Sequence, residues 1–150
     1  MRSLFALVLF TTLLVACGGE PKEKPFSVKE PAERVDDGKG VGEITQVTLN
    51  DPLNEEMADR GKAIYEMKCS ACHKLTDQRV VGPGWAGLTK IRKPEWIMNM
   101  ITNVDVMLAE DPTAQKLLEE CLVRMPNQNL SIGDARDVLE FMLVLDAETE

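Results

Sequence analysis

The sequence predicts a small all-α domain, and three observations carry that prediction. Apolar residues recur at helical spacing in segments that open on helix-starting chemistry, at Asp51-Pro52-Leu53-Asn54, Pro94, Asp111-Pro112 and Ser131. No convincing pair of segments alternates apolar and polar residues as paired strands do. One Cys-x-x-Cys-His motif, Cys69-Ser70-Ala71-Cys72-His73, stands between the first helical segment and a glycine-punctuated loop. With 150 residues, 44% hydrophobic and 28% charged, the chain suits one globular domain with some length left over, and repeats are not evident.

The Cys-x-x-Cys-His spacing reads as the attachment site of a single c-type haem. Two thiols three positions apart can form thioethers to the two vinyl groups of one porphyrin, and the adjacent imidazole then serves as the proximal iron ligand. A thioredoxin-like pair would need a βαβ context, and a zinc site would need a second Cys/His pair; neither is present. Aromatic content is only 5%, so a protein-only core would be lean and a buried porphyrin would supply much of the missing apolar surface. His73 is the one histidine, which excludes bis-histidine and multihaem schemes within this chain.

At the N-terminus, Arg2 precedes apolar runs at Leu4 to Phe10 and Leu13 to Ala16, too short for a comfortable membrane span. Residues 1–16 are therefore read as an export signal. Leu14-Val15-Ala16-Cys17 resembles the bacterial lipobox, in which the signal is cleaved before a cysteine that becomes acylated; an ordinary cleaved signal with a stray thiol is the alternative. Lipidated Cys17 would anchor the protein to a membrane of the cell envelope, facing the periplasm or the exterior. Residues 17–50 then read as a flexible tether, rich in Pro, Lys, Glu, Gly and Asp, with a root-mean-square span of about 30 Å and a stretched limit of roughly 110 Å. Val41, Ile44, Val47 and Leu49 leave open a second arrangement, an extended strip folded back on the domain.

The domain itself is expected over 51–150, its first helix spanning Glu55 to Lys68. Gly61 and Tyr65 are four apart and share a face, and Gly61 permits close approach of another backbone. Here the chain resembles the mono-haem class I cytochromes c, in which a glycine and an aromatic at this spacing before the haem motif pack across the final helix. That resemblance implies a small cytochrome c fold with N- and C-terminal helices crossing and haem in the core. The final helix carries a Ser131/Asp134 capping box and an apolar face of Val138, Phe141, Met142 and Leu145; by resemblance Val138 and Phe141 meet Gly61 and Tyr65.

Val81-Gly82-Pro83-Gly84-Trp85-Ala86-Gly87-Leu88 is similar to the family's G-P-x-x-x-G-L segment. The resemblance implies that the Pro83 carbonyl accepts from the second ring nitrogen of His73. A plain turn is the simpler reading. Further helices are expected from Pro94, with Trp96, Ile97, Met100 and Ile101, and from Asp111-Pro112 to about Leu122. Met125-Pro126-Asn127-Gln128-Asn129-Leu130 strongly resembles the family's distal ligand loop, which implies Met125 as sixth ligand. Pro126 favours an extended Met125, aimed away from helical packing. For the other methionines core packing is the default, and Cys121 is expected to be a buried small hydrophobe.

The leading function is one-electron transfer between respiratory components, because no Gly-rich phosphate loop, second histidine or nucleophile elbow suggests an enzyme. A haem-based gas sensor or enzyme with an open iron site, and a fixed cytochrome subunit of a larger complex, are the rivals. Trp96 within Arg92-Lys93-Pro94-Glu95-Trp96-Ile97 also resembles cytochromes that accompany anaerobic terminal reductases, nitrous oxide reductase among them. The net charge of −8 hides an asymmetry: residues 60–93 carry eight cationic against two acidic residues, residues 94–150 three against twelve. Such a dipole suits transient docking with redox proteins, with Lys68, Lys74, Arg79 or Lys90 near the haem edge, and the acidity of the chain as a whole argues against nucleic acid.

Overall fold

The computed structural model describes residues 36–148; the expected signal, Cys17 and the first part of the expected tether lie outside that range. Among the described residues six helices follow in order: α1 (Glu55–Lys68), α2 (Leu88–Ile91), α3 (Pro94–Thr102), α4 (Val104–Glu110), α5 (Pro112–Cys121) and α6 (Ile132–Glu148). No strand occurs among the described residues beyond an isolated bridge between His73 and Arg79.

Local chemistry sets the helix starts. Asn54 Oδ1 accepts from the Met57 N–H at 3.0 Å, and Glu55 and Glu56 occupy the positive end of the α1 dipole. Pro94 and Pro112 sit in first turns, where no backbone donor is lost, and Asp111 caps α5 through the Ala114 N–H at 2.7 Å. Ser131 Oγ accepts from the Asp134 N–H at 3.1 Å while Asp134 Oδ2 accepts from the Ser131 N–H at 3.1 Å, completing the capping box. α2 and α4 had no sequence counterpart. α2 is one turn, begun by the left-handed Gly87 and held by Asp146 of α6, which accepts from the Gly87 N–H at 2.6 Å and the Thr89 N–H at 3.0 Å. α4 is seven residues with no side-chain cap, too short to announce itself against its neighbours.

α1 packs chiefly on α6. A Cβ at Gly61 would collide with the Asp137 carbonyl and come within 2.9 Å of Phe141 Cβ, so only glycine admits this approach of the two helices. Arg60 fixes the same crossing with a forked ion pair to Asp137, at 2.7 and 2.8 Å. Tyr65 lies 5.7 Å from Phe141 and 4.8 Å from Trp85, ring centroid to centroid, joining the crossing to the loop after the haem motif.

Residues 36–50 belong to this folded unit, which corrects a domain start at 51 and realises the strip folded back on the domain. Val41 and Ile44 are buried, Val47 packs on the core, and Leu49 is exposed. Polar partners from α3, α4 and α6 hold the strip. The Ile44 N–H and carbonyl both bond Asn99, the Val47 N–H donates to Glu95 at 3.2 Å, the Val41 N–H meets Met107 Sδ at 3.0 Å, and Asn50 donates to Glu140 at 3.0 Å. Periodicity could not decide this, because the strip is neither helix nor strand and its donors find side chains far away in sequence.

Candidate haem site

The motif forms one further turn beyond α1. Cys69 and Ser70 N–H groups bond the Tyr65 carbonyl, each at 2.9 Å, and the His73 N–H bonds the Cys69 carbonyl at 2.9 Å, so Cys69 and His73 lie one turn apart. Tyr65 donates its hydroxyl to the His73 carbonyl at 2.8 Å. The following loop folds back on the motif through the Gly82 N–H to the Cys72 carbonyl at 2.9 Å and the Trp85 N–H to the Lys74 carbonyl at 2.8 Å.

This fold-back places Pro83 where the family resemblance implied: His73 Nδ1 lies 2.8 Å from the Pro83 carbonyl oxygen. A carbonyl can only accept, so Nδ1 carries the proton and Nε2 keeps its lone pair for a metal. Burial pushes the imidazole below its ordinary pKa and so favours the neutral ligand form, while the Pro83 hydrogen bond pulls the other way. A Cβ at Gly82 would lie 2.8 Å from Nδ1, so glycine lets the backbone rest against the ring. Burial pushes the Cys69 thiol up to about 11, with Lys68 lowering and Cys72 raising it further, while Cys72 itself is half-buried.

Cys69, Cys72 and His73 border one open cleft, whose free space, counted out into the solvent at its mouth, is about 1150 Å³. Its walls are mainly apolar, supplied by α3, α5, α6 and the loop between α5 and α6. Met125 of that loop is half-buried and lines the cleft. The loop turns at left-handed Leu122 and Asn129; within it Asn127 Oδ1 accepts from the Asn129 N–H at 2.8 Å, and from the end of α1 Lys68 Nζ donates to the Gln128 carbonyl at 3.2 Å. Met100 and Met142 also line the cleft, from helices; Met98 and Met107 are core residues at 2% and 0% exposure, and Met67 is exposed. Cys121, expected to be buried, is half-buried and lines the cleft at the end of α5.

The cleft fits a haem. Its apolar walls suit a porphyrin, and its edge gathers two thiols and an imidazole with the correct nitrogen available. Among the described residues no cluster of three His, Cys, Asp or Glu side chains could hold a metal ion.

A helical shell around such a cleft defines a mono-haem redox protein of class I type. The cytochrome c family profile matches residues 58–146, and the chain belongs to that family. Among solved structures, cytochrome c from Rhodothermus marinus is 31% identical with a TM-score of 0.71, over 74% of this chain and 95% of that one. An engineered cytochrome c from Rhodothermus marinus is 30% identical with a TM-score of 0.69, over 73% and 95% of the two chains. The same engineered protein bound to a carbene intermediate gives 30% and 0.66 over the same shares. No curated protein sequence matches significantly. Family and fold together bring a covalently bound haem c with its iron, and haem-based electron transfer, to this chain.

Proposed function

We propose that this chain is a one-electron carrier, not an enzyme, with haem tethered to Cys69 and Cys72 and its iron ligated by His73 and Met125. The observation that carries this reading is the His73 Nδ1 to Pro83 carbonyl hydrogen bond of 2.8 Å beside a cleft that Met125 also lines. Haem supplies a reversible one-electron change at iron. The protein's own residues do the rest. Pro83 and Gly82 hold the imidazole in one tautomer and orientation, which raises its basicity as a ligand. Thioether sulfur at Met125 favours the reduced state relative to stronger donors, and a ligand set common to both oxidation states keeps reorganisation small. The apolar walls from α3, α5 and α6 would keep water from a haem held there.

Cys17, in this reading, is lipidated and holds the domain at the outer face of a cell-envelope membrane, in the periplasm or at the exterior. Its partners are redox proteins met by transient docking, an anaerobic terminal reductase among the acceptors.

The test is an optical and ligand-binding comparison. Wild-type ferric protein should show the weak near-red band of sulfur-to-iron charge transfer and bind carbon monoxide poorly when reduced. Met125→Ala should lose the band, lower the reduction potential and admit carbon monoxide. A wild type that is high-spin and binds carbon monoxide readily makes the protein a sensor or enzyme with an open iron site.

A further inference from the structure

The segment that carries Met125 is held differently from the rest of the fold. Among the described residues, positions 123–130 make no backbone-to-backbone hydrogen bond, whereas the helix ends on either side are closed by Leu122 N–H to the Leu118 carbonyl and Ala135 N–H to the Ser131 carbonyl, both at 2.9 Å. Apolar packing adds little at its start. Leu122 and Val123 are 86% and 53% exposed, and the segment's contacts with the core come from Met125 and Leu130. Few buried apolar contacts and a backbone without a ladder mark a segment whose local opening costs far less than global unfolding.

Two charged side chains attach it, one on each side of Met125. Arg124, the residue before Met125, lines the cleft and donates from Nη2 to Asp105 Oδ1 at 2.6 Å. Lys68, at the end of α1 and next to Cys69, donates to the Gln128 carbonyl at 3.2 Å. The bonds from Gln128 Nε2 to the Pro126 carbonyl and from the Asn129 N–H to Asn127 Oδ1 shape the loop without fixing it to its surroundings. Arg79, paired with Glu120 at 2.9 Å, braces the end of α5 ahead of it.

The two attachments are unequal. Lys68 meets a neutral carbonyl at the long end of the range, whereas Arg124 and Asp105 are opposite charges in a short, charge-assisted bond. Asp105 is itself well placed: it stands in the first turn of α4, the positive end of that helix, and α4 is seated in the core by Val104 and Met107, both 0% exposed. Met125 is thus one residue from a charged bond to a fixed helix. We propose that Arg124, through its ion pair with Asp105, is the positioning residue for Met125, and that breaking this pair opens the loop to a small ligand competing for the iron. The inference rests on the reading that Met125 ligates the haem iron.

The experiment uses holoprotein of wild type, Arg124→Gln, Asp105→Asn, the double variant and, as an exposed-charge control, Lys62→Gln. Stopped-flow mixing of ferric protein with imidazole follows loss of the sulfur-to-iron band, and its limiting rate at high imidazole is the rate of loop opening. Hydrogen exchange of the Asn127, Gln128 and Asn129 amides reports the same opening without reference to iron. An exposed ion pair biases the equilibrium that breaks it by roughly twofold to fivefold, so at low salt each single variant should raise both readouts by about that factor. The double variant should rise no further than either single one, because the two residues act as one bond. Lys62→Gln should change neither readout, and raising salt should bring wild type towards the variants. If Arg124→Gln fails to fold, Asp105→Asn and the salt dependence of the wild type decide the matter. A pair that serves stability alone would shift the denaturant midpoint and leave both readouts at wild-type values, and that result overturns the proposal; so do effects that add in the double variant. A wild type without the sulfur-to-iron band overturns the Met125 reading instead, and amide exchange then still decides whether the pair holds the loop.

Discussion

Asn99 holds both backbone polar groups of Ile44: its Oδ1 accepts from the Ile44 N–H at 3.2 Å, and its Nδ2 donates to the Ile44 carbonyl at 2.9 Å. The same Nδ2 reaches the Lys39 carbonyl at 3.1 Å. Asn99 is 1% exposed and sits on α3, whose Trp96, Ile97, Met100 and Ile101 form one wall of the cleft. A Cβ at Gly42 would collide with the Asn99 amide, so glycine there is what lets the strip lie this close. The segment ahead of the first helix is thereby bolted to the cofactor wall.

Replacing Asn99 by Leu keeps bulk but strands the Ile44 donor and acceptor in the interior. We expect a loss on the order of 2–4 kcal/mol, since each unpaired buried group costs about 1–3 kcal/mol. Asn99→Asp keeps an acceptor for the Ile44 N–H and should fall between the two. Denaturant unfolding of the holoproteins measures the difference. An Asn99→Leu midpoint equal to wild type would show that the strip contributes nothing to stability.

Much of this molecule was legible because its signals are local. Asn54, Asp111 and Ser131 mark helix starts through bonds to residues three positions on, Pro94 marks one through its fixed ring in the first turn, and α1 begins and ends where those signals put it. Cys69, Cys72, His73, Pro83 and Met125 could be singled out because a chemical motif and family wording coincide. Long-range partnerships stayed hidden. Nothing near Asp146 tells that it starts α2, nothing near Glu140 that it receives Asn50 and Asn54, and nothing near Arg92 that its Nε is buried.

Glu140 yields a pH dependence. It is fully buried, accepts from the Asn54 N–H at 2.6 Å and Asn50 at 3.0 Å, and pairs with Arg136 at 2.6 Å. Burial alone would push its carboxyl up, but these donors together outweigh burial and hold it below the ordinary value. A group with a depressed folded-state pKa stabilises fully above its unfolded pKa and loses that contribution as pH falls through the folded value. Glu140→Gln should therefore be less stable at neutral pH, by about 1–3 kcal/mol. The gap from wild type should narrow as pH falls below the ordinary carboxylate range. Thermal or denaturant unfolding as a function of pH checks both points; a gap that is constant with pH removes the ionised Glu140 from the account.

The proposed lipid anchor makes a separate prediction, because two or three acyl chains are what turn marginal membrane binding into stable anchoring. Cys17→Ser should move the protein from the membrane fraction to the soluble fraction while its haem spectrum stays unchanged. Unaltered partitioning would leave residues 1–16 as a simple export signal or point to another anchor.

Charge asymmetry tests how partners are met. Lys74, directly after His73, and Lys90 are exposed and belong to the cationic stretch. Transient redox encounters use small interfaces and depend on fast association, so steering matters more than buried area. Reversing both charges, Lys74→Glu with Lys90→Glu, should slow bimolecular electron transfer to an acidic redox protein severalfold at low salt. Raising salt should slow the wild type and bring the two proteins together, since screening shortens the reach of both fields. The reduction potential should stay nearly constant, which separates an encounter effect from a driving-force effect. Stopped-flow rates over a salt series read all three. If wild-type rates rise with salt, or if reversing Glu119 and Glu120 slows transfer more, the acidic face makes the encounter and the cationic stretch does not.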